Sequence, residues 1–298
     1  DAPEFNLRLA SRIRKKWKNV KIVHYVLPSV WAWRQGRVKI LKNNFDHILS
    51  ILPFEKEFLK KFDIQCDFVG HPISSNLQPK TRDVISFKRS LSFKDTTKIV
   101  TLLPGSRISE VNRMLPIFLK TASLLIAKFP DIVFICPTPK VVEKSFKKLV
   151  SESNIKIEHI SAESVSSDEF EKLKKSLYAC TDLALVTSGT VVLELAKASV
   201  PMIVGYRTGF LTEIIYRLFI KIRSANLVNL ITKRNDVPEF LFNRCNSKNF
   251  YSQAKLLLEK NNQAESQLIS SKQAIRELGY GSIDPSVRAA KSIKKFFC

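Results

Sequence analysis

The sequence predicts an α/β protein with parallel sheets, divided into two lobes, and three observations carry that prediction. Val- and Ile-rich runs alternate with segments of helical apolar spacing, as strands joined by helical crossovers do. The run Ile99-Val-Thr-Leu-Leu103 is apolar enough to be a buried strand, and it stops at Pro104-Gly105. A polar stretch, Ser74 to Lys98, separates an earlier series of such units from a later one.

In chain order, Phe5 to Lys18 places Phe5, Leu9, Ile13 and Trp17 on one helical stripe. Val20 to Leu27 reads as a strand ending at Pro28, before an aromatic-rich turn, Pro28-Ser-Val-Trp-Ala-Trp-Arg34. Gly36 to Asn44 is helical, His47 to Leu52 a strand, and Pro53 opens a short helix to Phe62. Cys66 to Val69 is a strand closed by Gly70-His71-Pro72. The later series has strands at Ile99–Leu103, Ile132–Cys136, Ile155–His159, Leu183–Val186 and Met202–Gly205. Helices lie between them near Ser109–Phe129, Lys140–Ser151, Ser167–Ala179 and Val191–Ala198, and Ser286 to Phe297 forms a final basic helix.

The 298 residues, 45% apolar and 26% charged, suit one large or two ordinary globular domains. Lys and Arg number 49 against 27 Asp and Glu, a net charge of +22. Such a field favours nucleic acid, acidic membrane or phosphorylated substrates. Neither a nucleic-acid-binding module nor aromatic platforms amid basic residues are found, so the expectation is no nucleic acid. The five cysteines form no CxxC pair, which argues against a zinc site or disulfide framework and fits a reducing cytoplasm. Apolar runs are too short to span a bilayer.

Two turns carry chemistry. At Leu103-Pro-Gly-Ser-Arg107 a strand ends on a glycine turn and hands over to a helix, leaving backbone N–H groups for an anion beside the Arg107 guanidinium. Thr187-Ser-Gly-Thr190 repeats the geometry after Leu183–Val186, with Ser188 or Thr190 placed to cap the next helix. Glu194, one turn further, is placed to accept both hydroxyls of a ribose; a capped helix with an acidic first turn explains the same residues. Two such turns at strand C-terminal ends of one parallel sheet point to a nucleotide.

Two α/β lobes with nucleotide machinery in the second suggest a glycosyltransferase of the two-Rossmann type. Asp1-Ala-Pro-Glu-Phe-Asn6, Pro28-Ser-Val-Trp-Ala-Trp-Arg34, Phe68-Val-Gly-His-Pro72, Leu103-Pro-Gly-Ser-Arg107 with Glu110, and Ser188-Gly-Thr190 with Glu194 occur in this order. Together they resemble the lipid-A-disaccharide synthase family, from residue 1 to the neighbourhood of Glu239. The resemblance implies two Rossmann-like lobes of the GT-B type with the active site between them. It implies an inverting enzyme that joins UDP-2,3-diacylglucosamine to 2,3-diacylglucosamine 1-phosphate, releasing UDP, without a metal or other cofactor. The family carries a further portion ahead of the Asp-Ala-Pro motif, so the expectation is a piece whose first lobe is incomplete. On this reading residues 1–80 are the remainder of the acceptor-binding lobe and 81–282 the UDP-sugar-binding lobe. Residues 283–298 are a helix packing back on the first lobe.

The resemblance makes Asp1 the base for the acceptor's 6-hydroxyl and Arg107 the group that meets the departing diphosphate. It assigns Gly105, Ser106, Glu110, Ser188, Gly189, Thr190, Glu194 and Asn229 to the UDP-sugar, with His71 as a donor to its phosphate or sugar. Asn6, Trp31, Trp33 and Arg34 fall on the acceptor side, where the tryptophans serve packing equally well. Two departures from the family pattern lie beside Asn229: Val228 stands for a Pro and Lys233 for a Gly.

Phe210 to Arg223 sets Phe210, Leu211, Ile214 and Phe219 on one helical stripe, with Arg217 and Lys221 opposite. A surface helix packed on a core has the same pattern, but the net charge and acylated substrates favour anionic inner-membrane lipid. The expected location is therefore cytoplasmic, peripheral on the inner face of that membrane. Alternatives are another UDP-N-acetylglucosamine-dependent GT-B transferase or epimerase, or an inactive membrane-adhering fragment.

Overall fold

The computed structural model describes the chain except residues 1, 2, 33, 34, 76, 77, 92, 95, 210–223, 260, 261 and 298. Among the described residues there are two compact units, one of 3–75 and 275–297, the other of 78–209 and 224–274.

The first unit begins with α1 (Pro3–Lys16), β1 (Val23–Tyr25), α2 (Val38–Asn44), β2 (His47–Ser50), α3 (Pro53–Lys60) and β3 (Cys66–Phe68). Its strands are parallel in the order β1-β2-β3. Leu7 and Ala10 of α1 pack with Val38, Leu41, Ile48 and Leu59 in its core. The expected stripe is corrected here: Phe5, Leu9 and Trp17 are exposed, and the opposite face is the buried one. Arg14 fixes that rotation by bonding the Lys18, Val20 and Asn44 carbonyls and pairing with Asp46. The strand expected over Val20–Leu27 shrinks to three residues. Asp46 takes the Ile22 N–H at 2.7 Å, and Val26 turns to φ 70°, which ends an extended run.

Pro53 opens α3 as expected, and Glu55 caps it, accepting the Leu52 and Ile51 N–H groups at 3.0 and 3.2 Å. Burial pushes the Glu55 carboxyl up to about 7, against the N–H donors of Leu52, Trp31 and Ile51 that favour its charge. A raised carboxyl stabilises the fold below its ordinary value of 4.5, and that contribution is lost as pH rises through about 7. The difference is on the order of 3 kcal/mol. Denaturant unfolding at pH 4.5–7 should therefore lose this increment in the parent chain and keep it in Glu55→Gln; parallel pH profiles would refute the assignment.

The second unit holds α4 (Thr81–Leu91), β4 (Lys98–Leu103), α5 (Ile108–Lys128), β5 (Ile132–Thr138), α6 (Glu143–Ser151) and β6 (Glu158–Ser161). It continues with α7 (Ser167–Cys180), β7 (Leu183–Thr187), α8 (Val191–Lys197), β8 (Met202–Tyr206), α9 (Leu227–Thr232), β9 (Glu239–Leu241) and α10 (Ser247–Leu258). The division then falls within α11 (Asn262–Glu277), and α12 (Pro285–Phe297) belongs to the first unit. Six parallel strands run in the order β6-β5-β4-β7-β8-β9.

β4 is buried over Ile99–Leu103, as a central parallel strand must be. α5 continues past Pro116. An interior proline costs about 3 kcal/mol, but Val111, Met114, Leu115, Phe118 and Leu125 are fully buried, at roughly 1.5–3 kcal/mol each. Packing wins. β6 lies a few residues beyond the expected Ile155–His159, because Ile155 and Ile157 pack into the core ahead of the ladder. α4 falls in the stretch read as polar from the sequence; its one buried residue, Phe87, is too thin a signal to predict a helix.

In the first unit, Gly70 sits at φ 91°, where an added Cβ would lie 3.1 Å from the Leu278 carbonyl. Arg288 of α12 donates to the Phe68 carbonyl at 2.8 Å, and Ser292 donates to Asp67 at 2.7 Å. These contacts dock α12 on the β3 end of the small sheet.

Candidate active site

From β4 the chain moves outward through β5 and β6, then returns to β7 on the other flank and continues through β8 and β9. The order reverses between β4 and β7, which pair with Leu103 opposite Val186. Ligands of open parallel sheets bind outside the strand C-termini at that reversal. The turns at 104–107 and 188–190 emerge there side by side.

In the first turn Gly105 adopts φ 120°, and a Cβ on it would lie 2.5 Å from the Glu110 Cβ. The Glu110 carboxylate folds back over this glycine. Its Oε2 accepts the Ser106 and Arg107 N–H groups at 3.0 and 3.3 Å, and its Oε1 binds the Arg107 guanidinium at 2.7 Å. The expectation of free N–H groups at Ser106 and Arg107 is thus corrected: a capping carboxylate holds them, as acids in a first helical turn do. Glu110 is a cap and a tether, since a carboxylate has no donor for a phosphate. Arg107 itself is 78% exposed along its side chain and is tethered at only one edge.

The second turn differs. Ser188 donates to the Ala225 carbonyl at 2.7 Å, while Thr190 makes no side-chain cap bond. Neither hydroxyl caps α8, contrary to expectation. The backbone N–H groups of Gly189 and Thr190 consequently have no acceptor among the described residues. Among the described residues, the adjoining ones aside, no atom lies nearer than 4.0 Å to a Cβ built on Gly189, so that side of the turn is open. Glu194 stands one turn further on, partly exposed, with Oε2 3.2 Å from Lys174 Nζ.

A residue the sequence reading passed over organises the neighbouring loop. Glu239, at the start of β9, accepts from Ser224 Oγ at 2.5 Å and from the Ala225 N–H at 2.7 Å. Burial raises its carboxyl despite those donors. With Ser188 gripping Ala225 from the other side, residues 224–226 are fixed next to the second turn. Asn229 is corrected as well: it is buried, its amide donates to the Val237 carbonyl at 2.9 Å and its oxygen accepts the Val237 N–H at 3.1 Å. It closes its own loop instead of offering both groups to a ligand. Lys233 takes φ 56° at the C-terminus of α9, a left-handed position that suits the glycine of the family pattern and costs a lysine roughly 1 kcal/mol.

In the first unit, burial drives the His71 imidazole down to about 4. Its Nδ1 accepts the Ile73 N–H at 3.0 Å, so the ring is neutral with its proton on Nε2, a donor of fixed direction. Trp31 is spoken for at its polar edge: the indole N–H donates to Glu55 Oε1 at 3.0 Å and the ring packs edge-on against Phe54. Asn6 is exposed on α1. Asp1, Trp33 and Arg34 lie outside the described residues, as do Phe210, Leu211, Ile214, Arg217, Phe219 and Lys221. Among the described residues no three His, Cys, Asp or Glu gather to hold a metal ion, and no helix is long and apolar enough to cross a membrane.

Comparison with known proteins supplies the chemistry's context. The chain is 34% identical over 293 residues to the lipid-A-disaccharide synthase of Rhodospirillum centenum, covering 98% of this chain and 71% of that one. It is 32% identical over 298 residues to that of Rickettsia prowazekii, covering all of this chain and 76% of that one. Among solved structures it resembles Staphylococcus aureus MnaA with UDP, at TM-score 0.60, 12% identity, and 99% and 79% of the two chains. It also resembles the sucrose-phosphate synthase of Thermosynechococcus elongatus, at TM-score 0.58, 12% identity, and 98% and 71% coverage. Those two likenesses are of fold, an α/β arrangement of the GT-B type. With the lipid-A-disaccharide synthetase family model matching residues 1–293, the chain belongs to that family.

Proposed function

We propose that the chain transfers a 2,3-diacylglucosamine unit from UDP to the 6-hydroxyl of 2,3-diacylglucosamine 1-phosphate, using the β4–β7 turns to hold the diphosphate. Family membership makes it a glycosyltransferase of lipid A biosynthesis. The observation that carries the finer reading is the pairing of an exposed, tethered Arg107 with the open N–H groups of Gly189 and Thr190 at the switch point.

In this reading the acceptor oxygen attacks the anomeric carbon as the bond from that carbon to the UDP oxygen breaks. The hydroxyl proton passes to Asp1, the base implied by the family motif, and the electron pair leaves with UDP. Arg107 and the second turn meet the charge that develops on the departing phosphate, so no metal ion or other cofactor is assigned a role. His71 Nε2–H is a neutral donor to the donor phosphate or sugar. The acylated substrates and the net charge of +22 support an anionic inner-membrane surface as partner, on its cytoplasmic side, reached through the 210–223 stretch.

The test is a matched pair of turnover assays with acylated and unacylated UDP-glucosamine donors and acceptors. Disaccharide from the acylated pair alone is expected. Epimerisation of the donor, or equal use of unacylated sugars, would overturn the reading.

A further inference from the structure

Lys174 is a cation taken largely out of solvent, its side chain 16% exposed. Its ammonium stands between two carboxylates, Glu171 Oε1 at 2.8 Å and Glu194 Oε2 at 3.2 Å. Residues 171, 174 and 178 recur on one face of α7. Burial works against the ammonium, yet Glu194 and Glu171 together raise its pKa above the ordinary lysine value. One turn beyond, the buried Tyr178 hydroxyl has no hydrogen-bond partner among the described residues, so it gives Glu194 no hydrogen bond.

We propose that Lys174 is a positioning residue for nucleotide binding: it grips one oxygen of Glu194 and presents the other to the vicinal hydroxyls of the ribose. This rests on the reading of Glu194 as the ribose-binding carboxylate. The physical need is twofold. A glutamate in a first helical turn has several rotamers to lose on binding, and a partner that already orders it removes that cost. A bare carboxylate near a diphosphate would also repel it, and the repulsion would be compounded by Glu171. The shared ammonium offsets one of these two negative charges without touching the ligand.

Calorimetry on the whole chain tests this with UDP, 2′,3′-dideoxy-UDP and inorganic pyrophosphate. The parent should bind UDP about tenfold more tightly than the dideoxy compound, the worth of a charge-assisted hydrogen bond. Lys174→Met should abolish the preference for UDP over the dideoxy compound and weaken pyrophosphate as well, through carboxylate charge no longer offset, whereas Lys174→Arg keeps most of the preference. Full ribose preference in Lys174→Met would overturn the proposal for Lys174 and leave Glu194 in place. No preference in the parent would overturn the ribose assignment and this inference with it. If Lys174→Met fails to fold, Glu171→Gln decides, because it leaves the ammonium to Glu194 alone: the preference should hold or rise, and its loss would overturn the proposal.

Discussion

Replacing Arg107 with alanine should lower turnover by about 10²–10³, the effect of removing one preorganised donor from a developing negative charge. The loss belongs in kcat more than in KM, because the diphosphate gains charge only as the bond to the sugar breaks. Arg107 is suited to this by its setting. Its side chain is 78% exposed, but Glu110 Oε1 holds one edge at 2.7 Å, so the guanidinium is aimed without being covered. Lysine in its place should recover part of the rate, since it restores the charge but not the planar fork. Initial rates at saturating donor and acceptor decide the matter. A rate within threefold of the parent would take Arg107 out of the mechanism.

Gly105→Ala should be nearly as damaging to catalysis and more damaging to the fold. At φ 120° an L side chain is strained, and its Cβ would lie 2.5 Å from Glu110 Cβ and 2.6 Å from its Oε2. The turn cannot keep both the methyl and the carboxylate. Expelling Glu110 strands the Ser106 and Arg107 N–H groups and releases the guanidinium in one step. We expect a loss of about 3 kcal/mol, from backbone strain plus charge-assisted hydrogen bonds, together with a rate close to that of Arg107→Ala. Denaturant midpoint and turnover are read on the same preparation. An unchanged midpoint with normal activity would show that the glycine is dispensable.

Much of this site was legible in one dimension because its signals are local. A strand that ends on Pro104-Gly105, and another that ends on Ser188-Gly189, are turn chemistry readable from a few neighbouring residues. That both belong to one parallel sheet follows from the alternation of strands and helices. What local reading misjudged were polar groups with more than one possible partner. Glu110 had a cap and an arginine within reach of its own turn, and took both. Ser188 bonds Ala225, and Asn229 bonds Val237, through loops whose return to the sheet no short pattern reveals. Glu239 went unnoticed because its partners precede it by 14 and 15 residues.

The same division runs through the fold. Helix and strand identities from β4 to β8, the two glycine turns and the basic balance of the chain are set by sequence alone, through side-chain periodicity and backbone stereochemistry. Three things needed the folded chain. The strand order put the two turns on neighbouring strands; Arg14 and its carbonyl partners chose which face of α1 is buried; and packing around Lys174 decided what Glu194 leans on. Each depends on burial and on contacts between distant residues, where the free energy of a polar group is decided by what surrounds it.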